Sequence, residues 1–125
     1  MIKGFYNPRT YKHRVYINGK QLSIKKSQRY LFGSSTTFNW GYRGGGPSQL
    51  AFALLLEFTN ERMAYQLQTT FEQEFIATLP NNCYWAITEK DLMLTIYKCA
   101  QSPRFPEFIS LAERKRGKWR IPRMY

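Results

Sequence analysis

The chain has 125 residues, 43% of them hydrophobic and 17% aromatic, which suffices for one folded domain with a single core. Its longest apolar run has seven residues, so the sequence predicts no membrane span, and the first residues lack the apolar core of a secretory leader. Two cysteines sixteen residues apart and one histidine match no metal-binding spacing, and we expect reduced thiols in a cytoplasmic protein.

The formal net charge is +11, and it is unevenly distributed along the chain. Residues 1–56 hold nine basic and no acidic side chains, residues 57–101 hold three and six, and residues 102–125 hold seven and two. A field of this sign attracts polyanions, so the two basic ends predict contact with nucleic acid or another anionic surface. Solubility is the alternative explanation, although an even mixture of signs would serve it.

An Asn-Gly dipeptide at residues 18–19 predicts a type I′ hairpin turn, because both residue types tolerate positive φ. The flanking stretches Tyr11–Ile17 and Lys20–Lys25 are rich in strand formers. A two-residue turn fixes the register of the strands. The predicted cross-strand pairs are Ile17 with Lys20, Val15 with Leu22, and His13 with Ile24.

In that register one side of the hairpin is apolar and the other carries cations around one aromatic ring. Lys12, Arg14, Tyr16 and Lys25 lie on the second side. Cations with an interleaved ring suit phosphates and a stacked base, but an ordinary solvated strand has the same alternation. The sequence leaves both interpretations open. His13 falls on the apolar side, where we expect it to pack rather than to catalyse.

After the hairpin, Arg29–Phe32 is predicted to form a third strand, because a lone hairpin is only marginally stable. Phe38, Trp40 and Tyr42 alternate along an extended segment. We expect all three rings on one side, packed between sheet and helix. The alternative is a platform on which bases stack.

A glycine-rich segment, Gly41 and Gly44–Gly46, precedes Pro47 and the continuously apolar segment Leu50–Leu56. Proline fits the first helical position, and a helix that is apolar all round is buried all round. A glycine-rich approach to a helix can also bind a phosphate, which Arg43 would assist. The Walker and dinucleotide-binding patterns are absent, so a structural role is preferred and an anion site stays open.

The segment from Phe38 to Ala51 reads F-N-W-G-Y-R-G-G-G-P-S-Q-L-A. It resembles the F-x-W-G-Y-x-G-x-G-P-x-Q-L-A signature of a small domain-of-unknown-function family of bacteria, archaea and viruses, common on phages and plasmids. The similarity continues through Phe71–Pro80 and Trp85–Leu92. It covers about residues 14–96 and implies a mobile-element association, but neither an activity nor catalytic residues.

Two amphipathic helices are predicted in the second half of the chain. A hydrophobic residue at every fourth position indicates the first, over about residues 62–79. Glu72 and Glu74 are expected on its polar side, pointing apart because they are two positions apart. Thr88–Asp91 resembles a capping box and begins the second helix, over about residues 89–100.

The sequence thus predicts an α+β fold in which a small N-terminal antiparallel sheet, a hairpin plus a third strand, packs on three to four helices. A short extended segment is expected at Tyr84–Ile87. Residues 1–113 are predicted to form a single domain, and residues 114–125 a basic aromatic tail. Such tails often order along nucleic-acid backbones, and fraying in solvent is the alternative. With no catalytic, metal-ligand or cofactor pattern, neither an enzyme nor a cofactor is predicted.

The preferred functional prediction is a nucleic-acid-binding accessory protein of a phage or mobile element, with contacts to the backbone that are independent of sequence. The alternative is a protein–protein interaction module, such as a phage-encoded inhibitor of a host defence or other host machine, because aromatic and arginine side chains form interface hot spots. The candidate nucleic-acid-binding residues are Lys12, Arg14, Tyr16, Lys25, Lys26, Arg29, Arg43, Arg114, Lys115, Arg116, Lys118, Trp119 and Arg120.

Overall fold

The computed structural model describes residues 1–31 and 35–101. In these ranges four strands form one antiparallel sheet in the order β3-β2-β1-β4, accompanied by four α-helices. This confirms the predicted α+β fold with a small sheet near the N-terminus. The elements are β1 (Ile2–Asn7), β2 (Lys12–Ile17), β3 (Lys20–Gln21), α1 (Ile24–Gln28), α2 (Gly45–Phe58), α3 (Glu61–Glu74), a 3₁₀ turn (Ile76–Thr78), β4 (Trp85–Ile87) and α4 (Glu89–Gln101).

The β2–β3 hairpin has the predicted turn and register. Its two turn residues adopt φ of 50° and 85°, as a type I′ turn requires. Ile17 pairs with Lys20. The Leu22 amide donates to the Val15 carbonyl oxygen at 2.8 Å, which continues the pairing one step further.

The prediction that this strand continues to Lys25 is wrong beyond Leu22, because the chain enters α1 there. The Ser23 hydroxyl accepts the Lys25 amide at 3.2 Å and caps the helix. Local bonds from serine to the backbone compete with strand pairing. Ile24 is therefore helical and does not pair with His13, and Lys25 does not lie on the strand surface predicted for it.

The third strand predicted at Arg29–Phe32 is also wrong for its described part, since Arg29 forms the C-cap of α1. β1 and β4 complete the sheet instead. β1 pairs with β2 from Ile2 opposite Ile17 onward, and with β4 through Gly4 opposite Trp85. Of these two strands, only β4 coincides with a segment that the sequence predicted to be extended.

Gly4 allows β1 and β4 to pack closely. A Cβ at this position would lie 2.0 Å from Nε1 of Trp85, so the indole occupies the space that a side chain would need. Glycine is unfavourable in a strand interior unless another group approaches the backbone, as it does here. On the inner side of the sheet, the Trp85 indole therefore packs directly against the backbone of Gly4.

The helix α2 forms the centre of the core, and its segment Leu50–Leu55 is buried as the apolar run predicted. Each large apolar side chain buried here contributes roughly 1.5–3 kcal/mol. The helix begins at Gly45, so Pro47 is its third residue rather than its first. That position still costs no helical hydrogen bond, because the first four amides have no partner within the helix.

A buried polar network ties α2 to its surroundings. Gln49, in the first half of α2, donates through Nε2 to the Ser27 hydroxyl at 2.7 Å. Its Oε1 accepts the Ser35 amide at 3.1 Å. The network joins α2 to α1 and to the segment that leads towards the glycines. It therefore fixes the rotation of α2 about its own axis.

The rings of Phe38, Trp40 and Tyr42 were expected on one side, but only two of them are buried. Phe38 and Trp40 lie in the core, whereas Tyr42 is exposed, so the prediction fails for the last ring. The Trp40 indole donates to the Cys83 carbonyl oxygen at 3.1 Å. His13 packs edge-on against it, with ring centroids 4.8 Å apart. These rings stabilise the core and do not form a base-stacking platform.

The two later helices follow their predictions with one change. α3 ends at Glu74, and the 3₁₀ turn replaces its predicted last turn. The Thr88 hydroxyl accepts the Asp91 amide at 3.1 Å, as the capping-box pattern indicated, and α4 begins at Glu89. Among the helices of residues 1–31 and 35–101, none has the length and hydrophobicity that a membrane span requires. The predicted tail and the domain boundary at residue 113 lie outside the described residues.

Candidate functional site

The side of the sheet opposite the helices carries a mixed aromatic and basic surface. Alternate strand residues point to opposite sides, and the inward set, including Ile2, Val15 and Trp85, is buried. The outward set remains accessible to solvent. We call this surface the outer face; its residues are Lys3, Phe5 and Asn7 of β1, Lys12, Arg14 and Tyr16 of β2, Gln21 of β3, Tyr84 just before β4, and Ala86.

Three aromatic rings form a cluster on the outer face. Phe5 lies between the other two, with its centroid 5.1 Å from that of Tyr84 and 5.6 Å from that of Tyr16. The interplanar angles are 50° and 78°, respectively. Phe5 is 43% exposed and Tyr84 is 53% exposed. The cluster therefore presents large apolar rings to solvent at different inclinations.

Cations lie directly across the strands from two of these rings. The register places Phe5 opposite Arg14 and Lys3 opposite Tyr16. Side chains in such positions have Cβ atoms about 4.5–5.5 Å apart. Lys12 continues the row opposite Asn7, and none of the residues in the four described strands is acidic. The outer face thus combines positive charge with exposed rings.

A cleft continues from the outer face around the open side of β2. It has a volume of about 610 Å³ and lies between β2, the start of α1 and residues 36–39. Lys12 and Arg14 line both this cleft and a depression of about 360 Å³ on the outer face. Lys25 and hydroxyl groups such as that of Thr37 line the rest. The cleft extends the basic surface beyond the sheet.

The predicted site residues are only partly brought together. Lys12, Arg14 and Tyr16 lie side by side on the outer face, and Lys25 joins them through the cleft. The ammonium group of Lys26 instead lies 3.5 Å from the Glu57 carboxylate of α2. The other two predicted residues in the described ranges lie elsewhere: Arg29 ends α1, and Arg43 precedes α2.

Six predicted cationic or aromatic residues of the C-terminal tail lie outside the described residues. They are Arg114, Lys115, Arg116, Lys118, Trp119 and Arg120. Their nucleic-acid contacts stay a prediction. The described part of the candidate site lies mainly on the sheet.

Sequence reasoning missed Lys3, Phe5 and Tyr84. The first two lie on β1, whose alternation is interrupted by Gly4 and so does not indicate a strand. Tyr84 is predicted to lie in an extended segment, but its neighbours on the outer face follow only from the pairing of β1 with β4. The signal in the sequence is Lys3 and Phe5, a cation and a ring two positions apart, which would share one side of a strand.

The glycine run is occupied by the protein's own carboxylate. Oε2 of Glu72 accepts the Gly44 amide at 2.9 Å, next to the N-terminus of α2, and the side chain is only 6% exposed. Glu72 is therefore not on the polar side where the helical pattern placed it. A negative charge is favourable at a helix N-terminus, so the Glu72 carboxylate stabilises this end of α2 and would repel a second anion there. This supports a structural role for the glycines.

The two cysteines differ in burial. Both Cys83 and Cys99 are free thiols, the first exposed and the second buried. Burial, with a smaller contribution from the Glu74 charge, raises the pKa of Cys99 to about 12. Among the described residues, no group of three His, Cys, Asp or Glu side chains could hold a metal ion.

Comparison with known proteins adds a family assignment. Residues 7–98 match a family model described as a family of unknown function, DUF6166. The chain belongs to this family. The match confirms the expected membership in a family of unknown function, and the DUF6166 description names no enzymatic activity. Neither a curated protein nor a solved structure matches the chain.

The DUF6166 match includes only part of the outer face. It begins at Asn7, the last residue of β1, so Lys3 and Phe5 precede it. β2, α2 and most of α4 lie inside it. The match therefore covers α2 and most of the sheet, but not Lys3 and Phe5.

Proposed function

We propose that this protein binds nucleic acid on the outer face, mainly through the phosphate backbone. The observation that carries the proposal is the row of cross-strand pairs in which Arg14 lies opposite Phe5 and Lys3 opposite Tyr16. Cations neutralise phosphates and release counterions, which provides most of the affinity of sequence-independent binding. Rings between them offer surfaces to bases.

The charge distribution along the chain supports the same proposal. Residues 1–56, which form β1–β3, α1 and most of α2, contain nine basic and no acidic side chains. The net charge of +11 adds a long-range attraction for polyanions. Lys25, across the cleft from β2, would extend the contact by one phosphate. We further propose an accessory role in a phage or mobile element, within the host cytoplasm, on the basis of the sequence signature.

Salt-dependent binding tests the proposed function. A labelled single-stranded oligonucleotide is titrated at several salt concentrations, and log K is plotted against log salt concentration. Replacing two phosphate contacts, with Lys12→Gln and Arg14→Gln together, should reduce the magnitude of the slope by about 1.4, or about 0.7 per contact. The matched control is Lys90→Gln with Lys98→Gln, which removes the same charge from the exposed side of α4.

The control separates a local site from general attraction. We expect the α4 variant to keep the slope of the unmodified protein. Equal losses in both double variants would reject the outer face as the site. No binding at low salt in the unmodified protein would reject nucleic-acid binding itself.

A second candidate function is a protein–protein interaction module. Leu94 and Tyr97 lie one turn apart on the solvent side of α4 and are 39% and 40% exposed. Exposed apolar side chains at this spacing suit docking of a partner protein. A stoichiometric partner pulled from nuclease-treated host lysate, and lost with Leu94→Ser and Tyr97→Ser, would favour this candidate over nucleic acid.

A further inference from the structure

We propose that the outer face selects single-stranded over duplex nucleic acid, because Phe5 and Tyr84 stack on unpaired bases. The inference rests on the proposed function and assigns a substrate class to the same surface. Neither ring belongs to the predicted site, and both are exposed on the outer face, opposite the side that packs on the helices of the described residues. Single-strand recognition of this kind needs accessible ring faces, adjacent cations and a surface unsuited to duplex grooves.

The ring geometry suits two bases rather than one. The planes of Phe5 and Tyr84 are inclined by 50°, so a single flat base cannot lie parallel to both rings. Their centroids are 5.1 Å apart, which places the two stacking surfaces next to each other. Phe5 is 43% exposed and Tyr84 is 53% exposed, so both residues are accessible to neighbouring unpaired bases.

Cross-strand packing explains the contact between these rings but not their surroundings. Aromatic pairs stabilise sheets by themselves, and this would account for Phe5 against Tyr16. A stabilising pair has no need of cations, yet Arg14 lies opposite Phe5 and Lys3 lies opposite Tyr16. Because no acidic residue lies in the described strands, those charges have no carboxylate within the sheet. The alternation of cations and aromatic rings therefore complements a ligand that carries both negative charge and aromatic rings, as nucleic acid does.

The width of the sheet disfavours a duplex at one end only. A DNA major groove about 12 Å wide admits an α-helix or a two-stranded ribbon. The sheet is four strands wide, about 14 Å between its outermost strands, where Lys3 lies opposite Tyr16, and two strands wide where Phe5 lies opposite Arg14. In a duplex the base faces are also covered by neighbouring bases. A single strand can instead lie flat on the sheet with its bases turned onto the rings.

The test compares ring-removing variants on three oligonucleotides: a single strand, the corresponding duplex, and a single strand whose central nucleotides are abasic. Phe5→Leu and Tyr84→Leu keep an apolar side chain and remove the ring. Tyr97→Leu on α4 is the matched control, since it removes an exposed ring from another element. Binding constants and their salt dependence are measured for each combination, and thermal melting checks that each variant is folded.

We expect each outer-face variant to bind the single strand roughly five- to 150-fold more weakly, with an unchanged salt slope, because stacking releases no counterions. The abasic strand should bind the unmodified protein as weakly as the intact strand binds the variants. Phe5→Trp, which retains a ring, should keep the affinity of the unmodified protein. The Tyr97→Leu control should not differ from the unmodified protein.

The outcomes separate this inference from the proposed function. Salt-dependent binding with equal affinities for duplex and single strand, and no effect of Phe5→Leu, would overturn single-strand selection and leave backbone binding in place. A loss of affinity in Phe5→Trp as large as in Phe5→Leu would also overturn it, because the ring would not be the cause. No binding to any of the three oligonucleotides would overturn both.

Discussion

Glu72 contacts the backbone where the chain enters the central helix α2. Its carboxylate is buried on α3 and accepts the amide of Gly44, the N-cap of α2. The same contact joins α2 and α3, which form the main helix pair of the core, and places a negative charge at the positive end of α2. One side chain therefore provides a cap, an interhelical link and a favourable charge.

Removing the Glu72 charge should lower stability measurably. Glu72→Gln keeps an acceptor oxygen but loses the charge, and we expect a decrease of about 1 kcal/mol in the free energy of unfolding. Glu74→Gln, two residues further along and exposed, should change it by less than about 0.5 kcal/mol. Urea denaturation measures both. Equal effects would show that the contact with Gly44 contributes nothing.

The two cysteines should differ strongly in reactivity. Because burial raises the pKa of Cys99 to about 12, its thiolate is scarce at pH 8, whereas Cys83 is exposed. A disulfide reagent should therefore modify one thiol quickly in the folded protein and both after denaturation. Cys83→Ser should abolish the fast reaction. Fast modification that persists in this variant would contradict the burial of Cys99.

The same shift in pKa makes stability depend on pH in alkaline solution. The pKa of Cys99 is about 12 in the folded chain, against a reference value of 9.0. A group with a raised pKa stabilises the folded state fully below its unfolded pKa and loses that contribution as pH rises through the folded value. The free energy of unfolding should therefore fall between about pH 9 and pH 12, and less so in Cys99→Ala. Urea denaturation across that range measures the difference.

At the scale of elements, the backbone of the glycine-rich segment packs closely against the loop that contains Asn81. Gly41 has φ of 85°, and a Cβ there would lie 2.5 Å from Cα of Asn81. Its amide donates to the Ile76 carbonyl oxygen at 3.0 Å, which ties this segment to the 3₁₀ turn. A side chain at Gly41 would therefore meet both backbone strain and a steric clash.

Two glycine substitutions separate strain from clash. Gly19 has the same φ of 85°, but a Cβ there meets nothing within 4 Å. We expect Gly19→Ala to cost about 1 kcal/mol for the left-handed conformation, and Gly41→Ala to cost about 3 kcal/mol because Asn81 must also move. Chemical denaturation gives both values. Equal losses of stability would mean that the loop containing Asn81 moves aside at no cost in free energy.

Elements coded locally were predictable, and those that depend on distant partners were not. Asn18-Gly19 specifies its turn by conformational preference, and Thr88 caps α4 through a bond three residues away, so both were foreseen. β1 depends on pairing with β4, more than eighty positions later in the chain, and no local pattern indicates that. α1 was missed because Ser23 can cap a helix or continue a strand, and tertiary packing decides.

At the scale of the whole molecule, the sheet separates two surfaces of different character. Its inner side packs on the helices, while its outer face combines three rings with Lys3, Lys12 and Arg14. The acidic residues of the described chain belong to the half that begins at Glu57, and none belongs to the strands. This distribution leaves the positive charge of the outer face without carboxylates on the same strands.

The candidate site was half predictable for the same reason as the fold. Alternation along one strand placed Lys12, Arg14 and Tyr16 together, because β2 is specified by its own hairpin. Phe5 and Tyr84 join them only through the β1–β4 pairing, which is long-range. The sequence therefore indicated the charges of the site, while the rings that would give it single-strand selectivity required the sheet.

The most direct test of the central proposal is a nuclear magnetic resonance titration of the labelled protein with a single-stranded oligonucleotide at low salt. Amide shifts report which surface the ligand contacts. We expect saturable changes at Lys3, Phe5, Arg14, Tyr16 and Tyr84, and none along the exposed sides of α3 and α4. Changes concentrated on the helices, or no changes at all, would contradict the outer face as a nucleic-acid-binding surface.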